Sequence, residues 1–356
     1  MGPRGHGGRQ GWRAGRQGQA LDRLRRPLGR ERRAADPGFR RSPPRRASEG
    51  RGDQRRSRSR HRRWQSDRVD LRPYAWLHRH QRRLPILSAL DDELLDLFRF
   101  AAERSILPRW QNLRSDQIEE KAKGDLVTVV DQEVEEFLSE ALTKLQPGVA
   151  IVGEEAAHSD PSVLEQLSGP CWIIDPIDGT SNFARGEGHF AIMLALADGG
   201  ETIASWIYDP VRPRLLTARK GGGAFRDGDP VKASSDGETP PTLSAMTKFM
   251  NDEQRALFVA EIVPHYTLAT APGAAAEEYP RVAFGGTDIA IYERTLPWDH
   301  AAGCLFLNEA GGVCARQDGS PYRVDSDRKG MIAAASQGLW DEFVARLETL
   351  GFRPGG

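Results

Sequence analysis

Residues Trp172–Phe183 read WIIDPIDGTSNF, an apolar run of strand length that ends in Asp175 and Asp178. Ionised carboxylates at the edge of an apolar core cost several kcal/mol unless something positive neutralises them. A chain that buries this strand therefore has to hold a cation at its end. Pro176 biases Asp175 towards extended backbone and Ile177 can anchor the turn in the core, so both aspartates can leave the same strand end. A second run, VAIVGEE at residues 149–155, stops on two glutamates. Hard oxygen ligands of this kind suit Mg²⁺ or Mn²⁺, and no Cys/His cluster points to zinc. Gly179 and Thr180 follow the aspartates. If a helix starts there, its free N–H groups face the same spot and favour an anion such as phosphate. Taken alone, DPIDG reads equally well as a surface turn.

How much chain surrounds this strand is set by a break in charge near residue 84. Residues 1–83 hold 26 Arg, no Lys and 7 acidic residues, which leaves 24 basic and 43 acidic residues for the rest of a chain of formal net charge zero. The first part, for example RRSPPRRASEGRGDQRRSRSRHRRW, shows neither helical nor strand periodicity. It cannot bury enough apolar surface to offset chain entropy and is expected to be a disordered Arg-rich arm. Its basic charge could contact RNA, DNA or anionic lipid; a solvated tail, or upstream sequence read from a misassigned start, is the favoured reading. No apolar h-region follows the early arginines, so a signal peptide is not expected. No stretch approaches the roughly 18 apolar residues of a membrane span. Cys171, Cys304 and Cys314 have no C-x-x-C spacing and read as reduced thiols of a cytoplasmic protein.

Beyond residue 84, Leu90, Leu94, Leu97, Phe98 and Ala101 recur at helical spacing from Ser88 to about Pro108. DLVTVVD predicts a short strand with Asp131 at its junction with a second helix, whose stripe is Val134, Phe137, Leu138, Ala141, Leu142 and Leu145. HFAIMLALADGG, ETIASWIYDP and RLLTARKGGGAF are apolar runs divided by Gly, Pro and Asp, as in an antiparallel sheet. TDIAIYER, a helix at PWDHAAGCLFLNEAGG, GMIAAA and a last helix follow. The expected organisation is an arm (1–83) and one catalytic domain (84–356), with an α+β half (84–235) and an α/β half (236–356).

KAKGDLVTVVD (121–131), VGEE (152–155), DPIDGTSNF (175–183) and PWDHAAG (297–303), in this order and spacing, resemble the inositol monophosphatase family of Mg²⁺-dependent phosphatases over about residues 88–350. The D-x-D-G-T phosphatases of the haloacid dehalogenase group space their aspartates one residue closer. The resemblance implies a layered α-β-α-β-α sandwich of the sugar-phosphatase type. It also implies that Glu154, Asp175, Asp178, Asp299 and the Ile177 carbonyl bind two or three Mg²⁺ ions, Mn²⁺ being an alternative, with Glu155 a weaker candidate. By the same resemblance Asp131 and Thr180, with Glu154, belong to the catalytic set that handles a metal-bound water. No phosphoenzyme is expected. Asp178, Gly179, Thr180, Gly273, Ala274, Glu293 and Asp299 are the candidate substrate contacts. Trp298 reads as core packing, Ala301, Ala302 and Gly303 as residues that permit close helix approach, and His300 as solvent-facing or a local hydrogen-bond partner.

The implied activity is hydrolysis of a small phosphate ester, with inositol monophosphate first and histidinol phosphate, sugar phosphates or 3′(2′),5′-bisphosphate nucleotides as alternatives. Two departures bear on that choice. Ala274 replaces a hydroxyl residue of the family's G-[ST]-A-A segment, and ungapped alignment puts Tyr292 where the family has a glutamate, with Glu293 one residue away. A homodimer is in keeping with such relatives. The competing class is a nucleic-acid-binding or regulatory protein acting through the Arg-rich arm, which the complete acidic set disfavours.

Overall fold

The computed structural model describes residues 89–122, 125–235 and 237–356. The expected arm, residues 1–83, lies outside them.

In chain order the elements are helix α1 (Ala89–Ala101), strands β1 (Ile118–Ala122) and β2 (Asp125–Thr128), helix α2 (Val129–Leu145), β3 (Ala150–Gly153), α3 (Glu154–Ser159), β4 (Cys171–Asp178) and α4 (Thr180–Ala184). Next come β5 (Ala191–Asp198), β6 (Glu201–Asp209), β7 (Arg214–Arg219), β8 (Gly223–Arg226), β9 (Asp229–Val231) and β10 (Thr242–Ala245). The chain continues through α5 (Asp252–Leu257), β11 (Thr267–Leu268), α6 (Ala275–Ala283), β12 (Ile289–Tyr292), α7 (Pro297–Glu309), β13 (Val313–Ala315), β14 (Met331–Ala334) and α8 (Gln337–Thr349).

Strands β3 to β9 form one sheet in sequence order, with β3 and β4 parallel and the remaining pairs antiparallel. A second sheet runs β11-β10-β12-β14-β13; β10 lies parallel to β11 and β12, while β14 is antiparallel to both β12 and β13.

Side-chain alternation along these strands generates the layers. In β4, Trp172 and Ile174 pack with Leu94 and Phe98 of α1 and Val134 and Leu138 of α2. Cys171 and Ile173 point the other way, onto Tyr279 of α6 and Phe306 of α7. The period of two repeats in the second sheet: Ala290, Met331 and Ala333 face α6 and α7, whereas Ile289, Ile291 and Ile332 face Phe343 and Leu347 of α8. Both sheets are thus covered on both faces, and the order is α-β-α-β-α, as the resemblance implies. The middle helix layer explains why α7 is apolar nearly all round, with Ala301 to Leu307 buried. Its close approach to α6 depends on Gly303, where a Cβ would lie 2.0 Å from the Tyr279 ring.

Two local differences from the sequence reading have physical causes. The first helix gives way at Ala102 to a π-helical turn that ends at Ile106. The strand expected across DLVTVVD stops at Thr128, because Thr128 caps α2: its Oγ1 accepts from the Val130 N–H, and Asp131 accepts from the Thr128 N–H. Asp131 therefore sits in the first turn of α2. Among the described residues no helix is long and apolar enough to cross a membrane.

Candidate active site

The two aspartates of β4 share a face because the strand carries one extra residue. Asp175 pairs with Met193 and Asp178 with Ala191, three steps on β4 against two on β5. A bulge of this kind absorbs the odd residue, and Pro176, which has no N–H to give the ladder, falls inside it. Asp175 Oδ1 accepts from the Ile177 N–H at 3.0 Å, and Asp178 Oδ2 from the Ala276 N–H at 2.6 Å. Asp299 arrives from the first turn of α7. Carboxylate oxygens of Asp175, Asp178 and Asp299 lie within 4.8 Å of one another.

The trio lines a cleft of about 570 Å³ together with Glu154, Ile177, Gly179 and Thr180. Gly179 has φ +89°, and a Cβ there would come within 2.7 Å of the His189 carbonyl. Only glycine allows the turn to pass between that carbonyl and Ala274. The Thr180 hydroxyl reaches both Asp131 Oδ1 (3.1 Å) and the Ile177 carbonyl (3.0 Å). The far oxygen of Asp131 is held by Thr128. Of the candidate substrate contacts, Gly273, Ala274 and Glu293 also line the cleft. Glu154, at the head of α3, is close enough for its charge to act on Asp175 but stands outside the 4.8 Å trio.

Electrostatically the site is unbalanced. Burial, then the charges of Glu154, Asp178 and Asp299, push the Asp175 carboxyl well above the usual range. Asp178 is raised to about 7 by burial and Asp299, against the pull of the Ala276 and Ala275 N–H groups. Burial raises Asp131 to about 6 in spite of its threonine donors. Arg294 lies 3.7 Å from Asp299, but among the described residues no basic side chain forms an ion pair with Asp175 or Asp178. Converging oxygens that raise one another's pKa fit a hard divalent cation, which would supply the missing charge.

The remaining residues of the PWDHAAG segment are structural. His300 is buried, not exposed: its Nε2–H donates to the Arg294 carbonyl and its Nδ1 accepts from Tyr279. Burial pushes it down to about 3. Trp298 packs on the central core, and Cys171, Cys304 and Cys314 are buried free thiols.

Three supporting residues escaped the sequence reading. Glu135 is buried and accepts from the Glu155 and Ala156 N–H groups at 2.8 Å, which fixes the head of α3 and with it Glu154. A Cβ on Gly153 would lie 2.2 Å from the Glu135 carboxyl. The one available signal was that Glu135 follows Asp131 by four residues and so shares its helix face. Asn182 ties the cleft wall together by donating to the carbonyls of His189 and Pro272. Glu278 is buried beside Ser244 and lines the same cleft.

A five-layer sandwich whose cleft brings three carboxylates together is the architecture of a metal-dependent phosphoric monoester hydrolase. The inositol monophosphatase family matches residues 92–350, and the chain belongs to that family. It is 35% identical over 202 residues to inositol-1-monophosphatase of Bacillus subtilis, an overlap of 56% of this chain and 75% of that one. It is 30% identical over 254 residues to fructose-1,6-bisphosphatase/inositol-1-monophosphatase of Aquifex aeolicus, covering 70% and 92% of the two chains. The crystal structure of the extragenic suppressor protein suhB from Bartonella henselae superposes with a TM-score of 0.62 at 26% identity, over 73% of this chain and 99% of that one.

Proposed function

We propose that the protein hydrolyses a small phosphate monoester, inositol monophosphate first, with Mg²⁺ as its ion. The convergence of the Asp175, Asp178 and Asp299 oxygens beside the Asp131–Thr180 pair carries this reading. Asp175, Asp178, Asp299, Glu154 and the Ile177 carbonyl would hold the ions. Ions bound there would acidify water and neutralise charge on the leaving ester oxygen.

The chain's own groups do the rest. Thr180 Oγ1 accepts the proton of the attacking water as it gives its own to Asp131 Oδ1, which burial has already made a better base than an ordinary aspartate. The new P–O bond forms in line with the one that breaks, and the leaving oxygen takes up a proton to become the alcohol. The Gly179 and Thr180 amides would hold the phosphoryl oxygens as these gain charge. Gly273, Ala274 and Glu293 would contact the alcohol part of the ester, Glu293 with one oxygen already engaged by the Gly355 N–H at 2.5 Å. This domain spans residues 84–356 in the proposal, with the arm contributing no chemistry. Three buried free thiols support a reducing compartment such as the cytoplasm.

A second reading, a phosphatase of sugar bisphosphates, is favoured by the name of the Aquifex relative. The test is phosphate release by the full-length chain, with Mg²⁺, Mn²⁺ or EDTA, from inositol 1-phosphate, histidinol phosphate, fructose 1,6-bisphosphate and 3′-phosphoadenosine 5′-phosphate. Ion-dependent turnover with the highest kcat/KM on inositol 1-phosphate supports the first reading. Preference for another ester replaces the substrate, and salt-sensitive RNA binding with no turnover on any ester removes the enzyme.

A further inference from the structure

The cleft holds a second polar corner, away from the aspartates. Glu278 lies on α6 two residues beyond Ala276, whose N–H binds Asp178, so it stands about 3 Å farther along the helix axis. It is 5% exposed. Ser244, on β10, donates to Glu278 Oε2 at 2.7 Å, while Oε1 has no hydrogen-bond partner. Tyr292, at the end of β12, carries a buried hydroxyl next to the Tyr279 side chain, and it stands close enough to feel the charge of Glu278. Its ring is fixed by a stacked contact with Tyr279 (5.2 Å) and an edge contact with His300 (4.9 Å). Both residues line the cleft of the acidic trio.

Buried polar atoms are nearly always satisfied, so a carboxyl oxygen left unpartnered on a residue of the cleft wall calls for a ligand group that satisfies it. We propose that Glu278, assisted by Tyr292, binds a hydroxyl group on the alcohol part of the phosphate ester, and so sets specificity for polyol or sugar esters. An acceptor beside a donor/acceptor matches a neutral hydroxyl. A second phosphate would meet a carboxyl where it needs a cation, and burial lifts that carboxyl to about 7, which shows how poorly the corner tolerates added negative charge. Neither residue is among the metal-ligand candidates. A carboxyl retained only to hold Ser244 would leave its second oxygen without compensation, so packing alone does not explain it.

This inference rests on the phosphatase reading, and one experiment separates the two. The full-length protein and its Glu278→Gln, Glu278→Met and Tyr292→Phe variants are assayed with Mg²⁺ on inositol 1-phosphate and on 4-nitrophenyl phosphate, which offers no ring hydroxyl. The Glu278 variants are expected to lose about 10- to 100-fold in kcat/KM on inositol 1-phosphate, and Tyr292→Phe about 3- to 10-fold. Turnover of 4-nitrophenyl phosphate should stay within about twofold in each, which a merely structural role would not allow. A selectivity ratio unchanged within about twofold overturns the role of Glu278 and leaves the phosphatase reading intact. So does a wild-type protein that gains nothing from ring hydroxyls. If the wild type releases phosphate from neither ester with Mg²⁺ or Mn²⁺, the phosphatase reading fails and takes this inference with it.

Discussion

Two buried carboxylate sites at the C-terminal ends of β6 and β4, on either side of the start of β5, show how differently one side chain can be treated. Asp209, 2% exposed at the end of β6, receives the Arg212 Nε–H at 2.7 Å and has Arg214 at 3.7 Å. Its other oxygen takes the Val211 and Arg212 N–H groups. Asp175 and Asp178, buried to the same degree at the end of β4, have other carboxylates as charged neighbours. At Asp209 the fold supplies the countercharge, so the acid is structural. At β4 the fold withholds it, and the acids are left to act on something that brings charge from outside.

The sharpest way to break this contrast is to make the same change at both places. Asp178→Asn is expected to lower kcat/KM by about a thousandfold or more, roughly 4 kcal/mol of barrier, with the fold intact. Because it removes like-charge repulsion, it should also raise the melting temperature in EDTA. Asp209→Asn should do the reverse: turnover per folded molecule within a few-fold of wild type, and about 3 kcal/mol of stability lost through the stranded arginines. Urea titrations beside steady-state kinetics read both. Similar phenotypes for the two variants would abolish the distinction.

A pH series tests the same contrast without mutation. Asp131 (about 6), Asp178 (about 7), Glu278 (about 7) and Asp175 all have folded pKa values above their unfolded ones. The folded state therefore binds protons that the unfolded state has released. The stability they confer is complete below about pH 4 and is lost as the pH climbs through their folded values. His300, depressed to about 3, acts the other way, its neutral form being favoured in the fold, so its contribution grows between about pH 3 and 6.5. Four groups oppose one. In EDTA the chain should lose on the order of 3 kcal/mol between pH 5 and 7.5, and saturating Mg²⁺ should restore it at pH 7.5 far more than at pH 5. A flat profile in EDTA would mean that the acids are already compensated.

Part of this contrast is legible in the sequence, and its limits are instructive. An apolar run that stops on D-P-I-D announces a charged strand end, and α7 announces itself by the apolar run that follows P-W-D-H. What put both aspartates on one face was a bulge, which depends on the register of β5 and leaves no trace in β4 beyond its proline. Asp131 was visible as an acid near a strand end, yet the Thr128 cap moves it into a helix. Glu135 stayed hidden because its role requires a missing Cβ on Gly153, 18 positions away and on another element. Glu278 went unread, because the macrodipole is explanation enough for an acid in a first helical turn. Of the two readings of His300, the hydrogen-bond partner holds and the solvent-facing one does not, because tertiary partners, Tyr279 and the Arg294 carbonyl, decided its burial.

Glu135 gives a smaller test of how strictly the acidic end is positioned. Gly153→Ala would press a methyl group into the Glu135 carboxyl. That side chain can swing away, so the backbone survives while the two α3 amides lose their acceptor. A stability loss of about 1 kcal/mol is expected, with a kcat/KM reduction of about tenfold as Glu154 loosens. An unchanged kcat/KM would show that α3 holds Glu154 without this cap.

The smallest effect belongs to an ion pair that resembles that of Asp209 on paper. Asp318 receives the Arg328 Nη2–H at 2.7 Å and the Ser320 N–H at 3.0 Å, and these bonds, the Ser320 ones foremost, hold its carboxyl below the usual range. Its side chain is 56% exposed and that of Arg328 53%. Water solvates both charges whether or not they pair, and ordering two flexible side chains offsets most of the attraction. Asp318→Asn should therefore change the unfolding free energy from urea titration by no more than about 0.5 kcal/mol, a difference that fades further at high salt. A loss approaching that of Asp209→Asn would mean that pairing alone, and not burial, is what makes a carboxylate structural here, and the contrast with the β4 aspartates would have to be rebuilt on geometry.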